Sequence, residues 1–327
     1  MKKSKYLFYL IMVVSTLITL SSNNWISMWI GLEMNMMAFV PIMINKNNKL
    51  SSEAAMIYFL IQSISSMILM AMVLYTMCKY LISWKIVQVI MVSSMLIKLG
   101  AAPFHLWLPE IMSKIEWLSG AILMTWQKIA PLNMISNMNQ SYLINLSILM
   151  SVLVGSLGGI NQSSLRKLLG YSSINHLGWM LAINKNMNLW MFYLTIYSVI
   201  MWSMCMMFLK NKIYFINQLN SVNFSNPDKF CLFIMMMSVG GLPPFIGFLP
   251  KWVTIQSMML QNETFIVFFM IMMSLITLIY YLRIMNNMYM MSNVSVKWFY
   301  NHNNNWSSYF NIIINISLPI FYIIDMI

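Results

Sequence analysis

Ile86-Val-Gln-Val-Ile-Met-Val-Ser-Ser-Met-Leu-Ile-Lys98-Leu-Gly-Ala-Ala-Pro103-Phe-His105-Leu-Trp-Leu108 decides the fold. The run is long enough to cross the hydrocarbon core of a bilayer as a helix. It carries one cation, Lys98, far from either end. A cation at the centre of a membrane helix costs roughly 2.5–3.5 kcal/mol even on lenient scales, and is tolerated where it faces a protein interior or a water-filled cavity. Pro103 cannot donate a backbone hydrogen bond and clashes with the preceding turn, so it frees the carbonyl of Leu99. Broken backbone at membrane depth survives only where protein or water satisfies the released groups. His105, seven residues after Lys98, returns to nearly the same face about 10 Å further on if the helix stays regular. A lysine, a break and a histidine on one face make a path for a proton, against the plainer reading of a kinked packing helix with a snorkelling lysine.

Runs of this kind recur along the chain. Of its 327 residues, 60% are apolar and 8% charged, and the mean hydropathy is +0.72. A soluble domain carries about 25% charged residues. Eleven spans are predicted, at 6–22, 25–44, 53–78, 86–108, 118–137, 142–161, 170–184, 188–209, 230–259, 265–285 and 306–324. The expected fold is an all-α polytopic bundle, residues 1–327 forming one membrane domain, with interruptions near Pro103 and at Pro243-Pro244. A β-barrel would alternate apolar and polar positions in segments of about ten residues, which these runs do not. The basic start with its apolar run to Leu20 imitates a secretory signal, but ten further spans make it a first transmembrane helix.

Charge placement supports the span count. If helices alternate, one side collects Lys2, Lys3, Lys5, Lys46, Lys49, Lys114, Arg166, Lys167, Lys210, Lys212, Lys229, Arg283 and Lys297. The other side receives Lys79, Lys85 and Lys185. Only Lys98, Lys128 and Lys251 remain inside the membrane. The positive-inside rule expects this asymmetry, which puts the N-terminus inside and the C-terminus outside. The net charge of +12 lies in short loops rather than in one patch, so nucleic acid is not the expected partner; the lipid bilayer is. Cys78, Cys205 and Cys231 are isolated and imply neither a disulfide framework nor a metal site.

The second break is Gly240-Gly-Leu-Pro-Pro-Phe-Ile-Gly247, followed by Lys251. Pro243 and Pro244 release the carbonyls of Val239 and Gly240. Two interrupted helices in separate parts of one membrane protein point to a transport site. Lys128 sits mid-span in Trp126-Gln127-Lys128-Ile-Ala-Pro131. Glu33 is the one acidic residue clearly inside the membrane. A carboxylate neighbour favours a protonated lysine and burial favours the neutral amine. A Glu33–lysine pair that forms and breaks would therefore move a lysine between states; a static pair would leave two lysines without partners. His176 reads equally as a relay or as a satisfied core histidine. Gly155-x-x-x-Gly159 marks close helix packing. Glu53, after Ser51-Ser52, reads as a capped helix N-terminus, and Glu110 and Glu116 are weak candidates for function.

Several motifs occur in order: Gly31-Leu-Glu33-Met-Asn35, Lys98-Leu-Gly-Ala-Ala-Pro-Phe-His105-Leu-Trp-Leu-Pro-Glu110, Thr125-Trp-Gln-Lys128-Ile-Ala-Pro131, Leu165-Arg-Lys-Leu-Leu-Gly-Tyr171-Ser-Ser-Ile-Asn-His176-Leu-Gly-Trp179 and Gly240-Gly-Leu-Pro-Pro-Phe-Ile-Gly-Phe-Leu-Pro-Lys251-Trp252. Together they resemble the antiporter-like subunits of mitochondrial NADH:ubiquinone oxidoreductase, complex I, and within them the subunit 2 branch. Eleven spans resemble the animal form, which lacks three of the usual fourteen helices. Abundant Met, Ile, Asn and Lys resemble an AT-rich invertebrate mitochondrial gene. The resemblance implies that Glu33, Lys98, Lys128 and Lys251 form a proton-translocating series in that order, supported by His105 and His176. It also implies an inner mitochondrial membrane location, with the N-terminus in the matrix and the C-terminus in the intermembrane space. Other complex I subunits, especially neighbouring antiporter-like and small membrane subunits, are the implied partners. NADH, FMN, iron–sulfur clusters and ubiquinone would serve the complex, with no cofactor on this chain, where no motif for them is visible. Two other readings stand beside this one: a subunit of a related multisubunit cation/proton antiporter, and a scaffold of the complex with static charges.

Overall fold

The computed structural model describes residues 2–45, 48–78, 83–138, 142–221, 226–290 and 306–317. Lys46, Lys79 and Lys297, which entered the charge count, and the last part of the eleventh predicted span lie outside the described residues. Among the described residues the secondary structure is helical, apart from one isolated bridge between Ser164 and Phe215.

The chain opens with α1 (Lys2–Ser21), α2 (Trp25–Met43) and α3 (Lys49–Met77). α4 (Trp84–Leu99) and α5 (Trp107–Lys114) replace the single predicted span 86–108. α6 (Trp117–Met124), a 3-10 turn at Trp126–Lys128 and α7 (Ile129–Ser136) occupy the next. Then follow α8 (Tyr142–Gly159), α9 (Leu165–Ala182), α10 (Met187–Lys210) and the short α11 (Gln218–Ser221). α12 (Asn226–Gly240) and α13 (Phe248–Leu260) divide the thirty-residue span, and α14 (Thr264–Met290) and α15 (Trp306–Ile316) complete the chain. By length and composition, five helices among the described residues are long and apolar enough to cross a membrane: α2, α3, α8, α10 and α14.

Three expectations are corrected. α3 starts at Lys49 and is capped by Asn48, whose side chain accepts from the Leu50 N–H at 3.3 Å. Glu53 is therefore a residue of the second turn, and it pairs with Lys114 at 3.5 Å. The helix through Lys98 does not stay regular. It ends at Leu99, Gly100 turns the chain with φ +69°, and half-buried His105 lies in the loop before α5. The periodicity argument that put His105 on the Lys98 face fails because an αL residue intervenes. Finally, the helix around Lys128 is broken as well. Pro131 removes one donor, but it sits in the first turn of α7, where helices tolerate proline.

α9 is at the centre, buried from Ser172 through Ala182. A helix apolar or small on all sides belongs in the middle of a bundle. α8 packs along it, closely, because Gly155 and Gly178 present no side chain. A Cβ on Gly155 would lie 2.5 Å from the Asn175 backbone nitrogen, and one on Gly178 would lie 2.4 Å from the Val152 side chain. Small residues at helix contacts are the usual device where lipid offers no hydrophobic drive for association. Gly159 abuts the Tyr280 ring of α14, so the predicted Gly155/Gly159 pair serves two neighbours, one glycine each.

Candidate proton-translocation site

The three core lysines are buried in the protein, at 6% exposure for Lys98, 2% for Lys128 and 4% for Lys251. Such lysines do not snorkel, so each cation must be held by partners inside the fold.

Lys98 lies in the last turn of α4, where the helix macrodipole favours a cation. Its Nζ is 3.9 Å from Oε1 of Glu33 on α2. The predicted pair is present, but it is long, and that Glu33 oxygen, itself buried, accepts no hydrogen bond. The helix end is closed by Gly100: its N–H donates to the Ile97 carbonyl, and the Ala101 N–H reaches back to Leu96 at 3.1 Å. This is the Schellman arrangement, which satisfies two carbonyls and leaves the next two free. The Lys98 carbonyl accepts from Gln62 Nε2 at 3.1 Å, and the Trp107 indole N–H adds a second donor to Ile97 at 3.2 Å.

Between Lys98 and Lys128 is a cavity with about 20 Å³ of space for the centres of water molecules. One water needs roughly 10–15 Å³ on that measure. The polar groups in its wall are Asn35, Tyr58, Gln62, Gln127 and the two lysines. Tyr58 donates to Gln127 Oε1 at 3.3 Å, and Gln127 Nε2 donates to Asn35 at 3.1 Å. The space is thus large enough and polar enough to hold a water molecule between residues that include both lysines.

Lys128, carried on the 3-10 turn, donates to the Ser173 carbonyl of α9 at 3.0 Å. Its ammonium lies 5.1 Å from the centre of the Tyr197 ring on α10, within cation–π range. The Tyr197 ring in turn packs on His176, centroids 4.8 Å apart. His176 Nδ1 is 2.7 Å from the Tyr193 hydroxyl, and the Val239 backbone, Lys128 and Lys251 all lie within electrostatic range of the ring.

At the second break Gly241, φ +82°, closes α12 as Gly100 closes α4. Its N–H donates to Ser238 and that of Leu242 to Met237, at 3.0 and 3.2 Å. The two carbonyls left over are those of Val239 and Gly240, the pair expected from Pro243 and Pro244. Val239 meets His176. Gly240 accepts from Lys251 Nζ at 2.7 Å, with the ammonium 5.7 Å from the centre of the Trp179 ring. Lys251 folds back from α13 onto the end of α12, and Gly241 leaves room for it: a Cβ there would lie 2.7 Å from Lys251 Nζ.

Of the six sequence-predicted residues, Glu33 therefore lies beside Lys98, while Lys128, His176 and Lys251 are held around α9, α10 and the end of α12. His105 stands apart, its Nδ1 3.2 Å from the Pro103 carbonyl. Sequence reasoning missed Gln127, Tyr193, Tyr197 and Trp179. Gln127 had a signal in its place beside Lys128; the aromatics are indistinguishable in sequence from core filler. Among the described residues no cluster of His, Cys, Asp and Glu could hold a metal ion.

Residues 22–277 match the family described as NADH:quinone oxidoreductase/Mrp antiporter, TM. The chain belongs to this family. Over 324 residues it is 43% identical to NADH-ubiquinone oxidoreductase chain 2 of Anopheles gambiae, covering 96% of this chain and 95% of that one. The protein of the same name from Oryctolagus cuniculus is 39% identical over 303 residues, 87% of each chain. A chain of respiratory complex I from Thermus thermophilus superposes with a TM-score of 0.80 at 19% identity, over 94% of this chain and 75% of that one. A chain of the Mrp complex from Dietzia sp. superposes with 0.74 at 15% identity, over 86% and 59%. The antiporter-like helical fold is thus shared with chains of 15% and 19% sequence identity.

Proposed function

We propose that the chain is a core membrane subunit of respiratory complex I that contributes to proton translocation across the inner mitochondrial membrane, coupled to electron transfer from NADH to ubiquinone. One observation carries the reading: three buried lysines and a histidine in a member of this family lie with a carboxylate, a water-sized polar cavity and the free carbonyls of a broken helix. Glu33 gates Lys98, the cavity passes the proton to Lys128, and His176 hands it on to Lys251. His105 assists near the first break. Redox energy released in other subunits reaches the series by changing electrostatics at Glu33, which the 3.9 Å separation leaves easy to part from Lys98.

In this reading the chain crosses the membrane eleven times as one domain, with the N-terminus in the matrix and the C-terminus in the intermembrane space. Neighbouring antiporter-like and small membrane subunits flank it. NADH, FMN, the iron–sulfur clusters and ubiquinone belong to other subunits. The near-equal length of the mosquito relative supports complex I over a multisubunit cation/proton antiporter. Purification tests that choice: the chain should co-migrate with inhibitor-sensitive NADH:ubiquinone reductase activity, and co-migration with an antiporter lacking that activity would sink it.

The mechanism is tested by Lys98→Met in the assembled complex. Coupled turnover and proton pumping should fall by about tenfold or more, the scale on which positioned proton-transfer groups act, while assembly on a native gel persists. Normal pumping in the assembled mutant would leave a scaffold with static charges.

A further inference from the structure

His176 is closed on both sides. Tyr193, from α10, places its hydroxyl 2.7 Å from Nδ1, and the Tyr197 ring packs on the imidazole with centroids 4.8 Å apart. His176 and Tyr193 are buried, at 6% and 1% exposure. A phenol O–H is a better donor than an imidazole N–H, and an imidazole nitrogen a better acceptor than a phenol oxygen, so at 2.7 Å Tyr193 donates to Nδ1 and the hydrogen of the neutral ring lies on Nε2. A neutral imidazole has a single N–H, which leaves Nδ1 as an acceptor for the Tyr193 O–H.

We infer that Tyr193 is a positioning residue for proton movement through His176, fixing the neutral ring as the Nε2–H tautomer and holding the same pose when the ring is charged. A phenol both donates and accepts. When Nδ1 takes a second proton, the Tyr193 O–H turns away and its oxygen accepts instead. The ring need not move between states. Nε2 keeps its hydrogen in both states, while Lys251 stays on the Gly240 carbonyl. The charged groups facing the ring are Lys128 and Lys251, one toward each end of the relay. Without Tyr193 the imidazole would face both cations with one nitrogen unpartnered and nothing to select its tautomer. The inference rests on the reading that His176 relays between these lysines.

The test uses the whole complex in proteoliposomes, with Tyr193→Phe, His176→Gln and the double variant, measuring NADH-driven proton uptake, turnover and the solvent deuterium effect on turnover. Glutamine keeps a donor but takes no proton. Tyr193→Phe should lower coupled turnover by about tenfold, within the range expected when a buried acceptor loses its partner, and should enlarge the deuterium effect. In the His176→Gln background it should have no further effect, since residues acting as a unit are not additive. Normal pumping in Tyr193→Phe with impaired His176→Gln, or additive losses in the double variant, would overturn the inference while leaving the relay intact. Normal pumping in His176→Gln would overturn the relay itself. Should Tyr193→Phe fail to assemble, infrared difference spectra of wild-type and His176→Gln complexes decide. Loss of an Nε2–H imidazole signal supports the assignment, and loss of an Nδ1–H signal refutes it.

Discussion

At both breaks a half-helix ends on a left-handed glycine, Gly100 after α4 and Gly241 after α12, and both leave a carbonyl pair beyond the reach of the cap. They differ in what takes those carbonyls. At Lys98 the acceptor is met by a neutral amide, Gln62, while the lysine turns to a carboxylate on another helix. At Gly240 the acceptor is met by the lysine itself, which among the described residues makes no ion pair with a carboxylate. The first lysine faces a charged partner carried on another helix, at 3.9 Å. The second is held by fixed dipoles and a ring face, which favour a cation but cannot titrate. The asymmetry gives the series a responsive end and a resting end.

Gly247→Ala should have the largest effect, because its Cβ would lie 1.8 Å from the Ser238 carbonyl oxygen. No rotamer relieves a backbone collision, so the complex should be lost on native gels; ordinary assembly would mean that the loop of the second break is loose. Next, Gly100→Ala and Gly241→Ala should each cost about 1–2 kcal/mol in stability for the left-handed backbone, read as similar drops in Tm. Only Gly241→Ala should also abolish pumping, since its methyl would occupy the position of the Lys251 side chain, whereas at Gly100 the nearest atoms are Leu108 and Trp107 side chains at 3.0 Å. Equal pumping in the two would break the comparison.

Trp179→Leu comes third. It removes a cation–π contact of about 0.5–2 kcal/mol from Lys251 and should slow coupled turnover severalfold, with Trp179→Phe intermediate. Smallest is Lys114→Ala, away from the route. The hydrogen bond that Lys114 donates to Glu110, with Glu53 adding to it, holds the ammonium above the usual lysine range. Its contribution is therefore present at neutral pH and lost only in strong base. As a solvent-facing pair it is worth at most about 1 kcal/mol, so Tm should scarcely move and pumping not at all.

What the sequence made legible follows from where information is local. Pro243 and Pro244 name the carbonyls they release by counting back four residues, and those carbonyls are the ones that Lys251 and His176 meet. Glu33 was recognisable because a lone acid in an apolar run needs a cation. His105 was misplaced because extrapolating a helix through Gly100 assumes a backbone that glycine is there to break. The turn at Trp126–Lys128 carried a signal in Pro131, but a proline one turn into a helix start looks the same as one in a mild kink. Tyr193, Tyr197 and Trp179 gain their roles from partners on other helices, and no spacing within one segment encodes that.

The glycine contacts between α8 and α9 set where mechanical freedom resides. Gly155 and Gly178 bring the two helices together so closely that α9 has no room to slide or rotate without driving backbone into backbone. The Ser173 carbonyl under Lys128 and the imidazole of His176 are thereby fixed to a stator. The elements carrying Lys98, Lys128 and Lys251 bear on this stator as short pieces, α4, the 3-10 turn and α13, each joined to its neighbour by a break.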